Sequence, residues 1–175
     1  QTPDQLHATS TDPLTRVAAE IYRGLTIALK HQNAMDFDDL MLHPLTLFKN
    51  HPERLAWYQQ RFGFVLVDEF QDTNKAQYQL IRDLSTRHRN AFVVGDDDQS
   101  IYRWRGARVE NLQQFRRDFP GVQVFKLEQN YRSTGNILAA ANAVIEHNTQ
   151  RKPKELWTEA APGELVTTFR GNDEH

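Results

Sequence analysis

The 175-residue chain is long enough for one domain with a continuous core, or for one domain and part of another. Its 39% hydrophobic, 25% charged and 10% aromatic residues place it among folding globular proteins and exclude a disordered or fibrous chain. A formal net charge of -2 gives no whole-chain attraction to nucleic acid, and zero cysteines exclude disulfides and thiolate-bound metals, so any such partner must be argued from a local patch.

Near the N-terminus, QTPDQLHATSTDP lacks the basic and apolar regions of a signal peptide, and no apolar run approaches membrane-spanning length. The expected location is cytoplasmic, with no membrane partner. Leu14, Val17, Ala18, Ile21, Leu25 and Leu29 recur at three- and four-residue spacings, predicting an amphipathic helix over 12–32. A second helical stretch is predicted from Asp36, interrupted by Pro44, and a third opens at Pro52 in PERLAWYQQRF.

The texture then changes. Phe64 to Val67 is a short apolar run ending in Asp68 and Glu69, which predicts a buried strand. Asn74 can cap a helix bearing Ala76, Tyr78, Leu80, Ile81 and Leu84, and a second buried strand runs from Ala91 to Val94 before Gly95 and three aspartates. A helix from about Val109 to Phe119, a third strand from Val122 to Leu127 and a helix from about Thr134 to His147 follow. Such alternation implies an α/β fold, a parallel sheet covered by helices. Residues 148–163 read as a connection, and Leu165 to Phe169 as a strand beyond it.

Open parallel sheets bind ligands beyond the carboxyl ends of their strands, where this chain places its densest polar clusters. Asp68 is a candidate ligand for Mg2+, which takes one or two carboxylates plus substrate phosphates. Glu69 could orient and deprotonate an attacking water. Gln99 offers an uncharged amide to a terminal phosphate. In IYRWRGAR, Tyr102 and Trp104 alternate with Arg103, Arg105 and Arg108, a mixture suited to stacking on bases and meeting phosphates of single-stranded nucleic acid. LEQNYRST offers Arg132 to a phosphate and Tyr131 to a nucleobase, or equally a helix cap at Ser133 or Thr134.

Read in order, VDEFQDTN, VGDDDQSIYRWRGA and LEQNYRST closely resemble motifs II, III and IV of the UvrD, Rep and PcrA group of superfamily 1 DNA helicases. DFDDLM at 36–41 resembles the segment upstream of motif II, and the resemblance continues through LWT. It implies part of a RecA-like P-loop NTPase domain preceded by a helical segment: 1–62 as that segment, 63–147 as the second half of the first motor domain, and 148–175 as the connection and first strand of the second. It implies Asp68 as a Mg2+ ligand, Glu69 as the base, Gln99 as sensor of the terminal phosphate of ATP, and Arg132 as stabiliser of charge on it. Tyr131 would stack on adenine; Tyr102, Trp104 and Arg105 would contact single-stranded DNA or a single-strand/duplex junction. Arg103 departs from the small residue often found in relatives.

The phosphate-cradling G-x-x-x-x-G-K-[ST] loop, or even a Gly-Lys dipeptide, is absent from the sequence. That absence, with the start at Gln1 and the end in NDEH, leads us to expect a piece of a 3'-5' helicase that is inactive as an ATPase without the rest, with exposed apolar strand edges. Two other readings compete: Asp68, Glu69, Asp96 and Asp98 could gather two metals for nuclease-type phosphoryl transfer, or the chain could act as a DNA-binding or protein-interaction module.

Overall fold

A computed structural model describes residues 2–108, 110–148 and 154–171. It is a mixed α/β structure whose described sheet has two strands, β1 (Val65–Val67) and β2 (Ala91–Val93). The strands are parallel: Val65 N–H donates to Asn90 O at 3.0 Å, and Val94 N–H donates to Val67 O at 2.8 Å. Both leave their acidic segments at the same end of the pair.

The chain forms two compact units, Gln1–Val65 with Ala76–Ala91, and Leu66–Lys75 with Phe92–His175. The first holds helices α1 (Pro3–Thr9), α2 (Pro13–His31), α3 (Asp39–Asn50) and α4 (Pro52–Arg61), with most of α5 (Lys75–Ser85). α1 was not foreseen; a reciprocal capping box between Thr2 and Gln5 starts it. Asp12 caps α2 by accepting from the N–H groups of Leu14 and Thr15, as its position before the periodic run suggests. The apolar stripe of α2 is nevertheless open to solvent at Leu14, Val17, Ile21 and Leu25, and only Ala19 is buried.

Two helix boundaries differ from expectation. α3 begins at Asp39 rather than Asp36, because the two carboxylates accept from each other's backbone N–H and form a turn ahead of the helix. It then runs through Pro44 instead of breaking there. The missing proline N–H forfeits one hydrogen bond, while Phe48 on the same helix is buried and packs against Tyr58 in a tilted pair, 5.6 Å between ring centroids. Tertiary packing outweighs the local penalty.

The second unit contains α6 (Glu110–Asp118) and α7 (Gly135–Ile145). The predicted start of α6 at Val109 lies outside the described residues. Its core is aromatic: Phe70, Phe115 and Phe119 are buried, with centroids 5.6 Å apart for the first pair and 4.6 Å for the second.

The strands expected at Val122–Leu127 and Leu165–Phe169 do not form. An apolar run becomes a strand only when a neighbour completes its hydrogen-bond ladder, and no such neighbour lies beside them among the described residues. Val124, Phe125, Leu127, Leu165 and Phe169 are accordingly exposed, as are Leu66 and Phe92 on β1 and β2. The connection expected over 148–163 is described from Lys154 onward; residues 149–153 lie outside the described part. Lys154–Gly163 is bonded along the second unit rather than loose: Trp157 forms a parallel bridge with Gln129, and Ala161 O and Pro162 O accept from the first N–H groups of α7. No helix among the described residues is long and apolar enough to cross a membrane.

Candidate functional site

Beyond β1 the chain turns sharply. Phe70 N–H donates back to Val94 O at 2.9 Å, and the residue between strand and turn, Glu69, takes a left-handed backbone with φ of 48°. A side chain with a Cβ pays about 1–3 kcal/mol for such a conformation, so surrounding bonds must hold it. Asp68 Oδ1 accepts from Glu69 N–H at 2.9 Å, while its second oxygen has no partner among the described residues. Both carboxylates are exposed. An open oxygen on a fixed carboxylate suits a hard cation that also binds substrate phosphates.

Gln71 ties this turn to the next one. Its side chain is only 4% exposed; Nε2 donates to Glu69 Oε2 at 2.7 Å, and Oε1 accepts from Asp96 N–H at 2.9 Å. Gly95 makes room for it, since a Cβ there would stand 2.7 Å from Gln71 Oε1 and 3.2 Å from the backbone nitrogens of Phe70 and Gln71.

The loop after β2 is equally committed. Asp96 caps the short turn Asp97–Gln99 by accepting from Asp98 N–H, and Asp96 Oδ2 accepts from Gln99 Nε2 at 2.9 Å. Lys154 Nζ bonds Asp96 Oδ1 and stands 3.2 Å from Asp98 Oδ2. Burial pushes the Asp96 carboxyl up, but the hydrogen bonds from Lys154 and Gln99 and the lysine's charge outweigh it and hold the group below its ordinary value. Asp96 and Asp98 thus serve a lysine, and among the described residues no three His, Asp or Glu side chains gather as a metal's ligand set. Beside this loop a cavity of about 520 Å³ opens, lined by Asp96, Gln99, Lys154, Leu156 and residues of α7.

The aromatic loop follows directly. Trp104 is 80% exposed, and the Arg105 guanidinium lies over both rings, 5.6 Å from the Tyr102 centroid and 5.5 Å from that of Trp104. Gly106, with φ of 89°, turns the chain so that Ala107 N–H can return to Tyr102 O. These rings are not core residues. The loop is anchored at its far end: Ala107 bridges to Asn74, Arg108 N–H donates to Thr73 O, and the buried Asn111 amide donates to Thr73 O at 2.8 Å and Thr73 Oγ1 at 3.0 Å.

Tyr131 and Arg132 sit where Asn130 Oδ1 accepts from the N–H groups of Arg132 and Ser133, an Asx turn that leads into α7. Tyr131 is 85% exposed, its hydroxyl donating to Gln129 Oε1. Thr134 occupies the cap position of α7 without a side-chain cap bond.

Asp68, Glu69 and Gln99 are therefore drawn together through Gln71 and Asp96. Tyr102, Trp104 and Arg105 form one cluster, and Tyr131 with Arg132 a separate turn. Gln71, Asn111 and Lys154 escaped the reading of the sequence, and Gly95 figured in it only as the end of a strand. The only hint of Gln71 was its place two residues after Glu69; nothing in spacing marked Asn111 or Lys154.

Residues 1–120 match the family model of the UvrD/REP helicase N-terminal domain, and residues 125–175 that of the UvrD-like helicase C-terminal domain. Among similar proteins, the ATP-dependent DNA helicase PcrA of Leuconostoc citreum is 51% identical over 157 residues, 90% of this chain and 21% of that protein. PcrA of Staphylococcus epidermidis is 45% identical over 99% of this chain and 24% of its own length, and PcrA of Bacillus subtilis is 45% identical over 98% and 23%. The chain spans less than a quarter of the length of these relatives.

Proposed function

Because this chain belongs to the UvrD/REP helicase family, we propose that it is a segment of an ATP-dependent 3'-5' DNA helicase, contributing hydrolytic residues and part of a single-stranded DNA track. The observation that carries this reading is the bonded path Glu69–Gln71–Asp96–Gln99, which links two exposed strand-end groups suited to a water and a terminal phosphate.

In this reading Glu69 orients the attacking water and accepts its proton. Asp68, with one oxygen fixed and the other open, would hold Mg2+. When bound, that ion would neutralise charge on the phosphates of ATP. Gln99 exchanges its bond to Asp96 for one to the terminal phosphate, and Arg132 offers a guanidinium to the same charge. Tyr131 presents an open ring to adenine, and Tyr102, Trp104 and Arg105 hold a base and its phosphate at a single-strand/duplex junction or along the strand. The sequence carries no GxxxxGK[ST] loop, so the remainder of a helicase must supply the phosphate cradle, and this chain alone is expected to show no ATPase.

The test is Glu69→Gln in a helicase of the relatives' full length that carries this segment. ATP and DNA affinity should hold, while turnover falls about 10²-fold or more, the usual share of a general base. Ordinary turnover would refute the assignment.

A further inference from the structure

A neutral amide is buried between the loops that carry Glu69 and Gln99. Gln71 is 4% exposed and spends both ends of its side chain on bonds, donating to Glu69 Oε2 at 2.7 Å and accepting from Asp96 N–H at 2.9 Å. Its backbone carbonyl also accepts, more weakly, from Ser100 Oγ at 3.5 Å. Gly95 leaves the space that the amide fills, and Glu69 holds a left-handed backbone that needs outside support. An amide satisfies both demands at once: a donor is required toward a carboxylate and an acceptor toward an N–H, and the ionised carboxylate of the same length would offer no donor.

We propose that Gln71 is a positioning residue that fixes the Glu69 carboxylate and locks it in register with the loop carrying Gln99. The inference rests on the reading of Glu69 as general base. Asp96 stands at the junction, giving its N–H to Gln71 and its carboxylate to Gln99 and Lys154. A shift of that loop when Gln99 meets or loses a phosphate is therefore carried to the base through one buried side chain. Gln71 touches neither water nor nucleotide in this scheme; it acts through Glu69.

The test uses a full-length helicase carrying this segment, with kcat and KM for ATP in the presence of single-stranded DNA, DNA affinity and thermal midpoint measured in parallel. Gln71→Leu should lower kcat about tenfold or more while KM and DNA affinity stay within about twofold, the pattern of a loss felt in the transition state. Gln71→Met keeps the length of the side chain but offers no donor to Glu69, so it should show the same fall in kcat at nearly unchanged KM, a split that a merely structural role would not produce. Gly95→Ala, by displacing the amide, should reproduce the kcat loss. If Gln71→Leu does not fold, the split between kcat and KM in Gln71→Met decides the matter.

Glu69→Gln separates the two levels. If it abolishes turnover while the Gln71 variants keep wild-type kcat, the positioning role is overturned and the base assignment stands. If Glu69→Gln turns over normally, both fall.

Discussion

The strand-end cluster and the aromatic loop, neighbours in sequence and anchored to the same short turn, are built on opposite plans. In the cluster, polar groups are bonded to one another before any ligand arrives, through Gln71, Asp96 and Lys154. In the loop, Trp104 and Tyr102 meet each other and the Arg105 guanidinium, and Trp104 stays 80% exposed. Chemistry on phosphate gains most from donors and acceptors fixed in advance, because reorganisation at the moment of reaction raises the barrier. A surface that must release and regrip a strand gains from rings that slide from base to base. The turn 70–74 serves both, through Gln71 on one side and through Thr73 and Asn74 on the other.

The sharpest way to break this contrast is Trp104→Ala. If the ring is a stacking platform, affinity for a short single-stranded oligonucleotide should fall by about 1–3 kcal/mol, the usual worth of one stacked base. Thermal stability should scarcely change, since the side chain is 80% exposed. Unchanged affinity in a folded variant would reduce the loop to a solvated turn, and a large stability loss would make it part of the core.

How much of this was legible in the sequence follows the same division. The ends of β1 and β2 and the helices on either side were readable, because an apolar run closed by charges marks where an element stops, but the burial expected of both strands was not, since Leu66 and Phe92 are exposed. The break at Pro44 and the strands at 122–127 and 165–169 were misread, for a shared reason. Propensity describes what a segment can do, while packing of Phe48 in one case and the lack of a pairing neighbour in the other decide what it does. The bonds of Gln71, Asn111 and Lys154 join residues far apart in the chain, and no local pattern encodes such a meeting.

Asn111 offers a smaller test of the far side of the shared turn. Asn111→Ala strips Thr73 Oγ1 and Asn74 O of a buried donor, although Thr73 O keeps the N–H of Arg108 and Thr73 Oγ1 still donates to Phe70 O. The expected cost is about 1–2 kcal/mol of unfolding free energy, read from denaturant midpoints at constant slope. DNA affinity should weaken too, because the loop loses its anchor without losing its rings. A stability loss with wild-type DNA binding would show that the aromatic loop does not depend on the turn that also carries Gln71.

The smallest effect concerns the electrostatic end of the cluster. The Asp96 carboxyl sits below its ordinary value of 3.8, burial being outweighed by Lys154 and Gln99. A folded pKa below the unfolded one means stabilisation that is fully present above the unfolded value and lost as pH falls through the folded one. Lys154→Met should therefore cost more stability at pH 7 than at a pH well below that ordinary value, where the contribution of the charged pair is lost. The difference between the two chains is needed because Asp83 works in the opposite sense: burial raises it despite its bonds to Gln79 and Arg82, so its unfavourable share grows as pH rises through its unfolded value. An equal loss at both pH values would mean that Lys154 contributes packing along the cavity rather than charge.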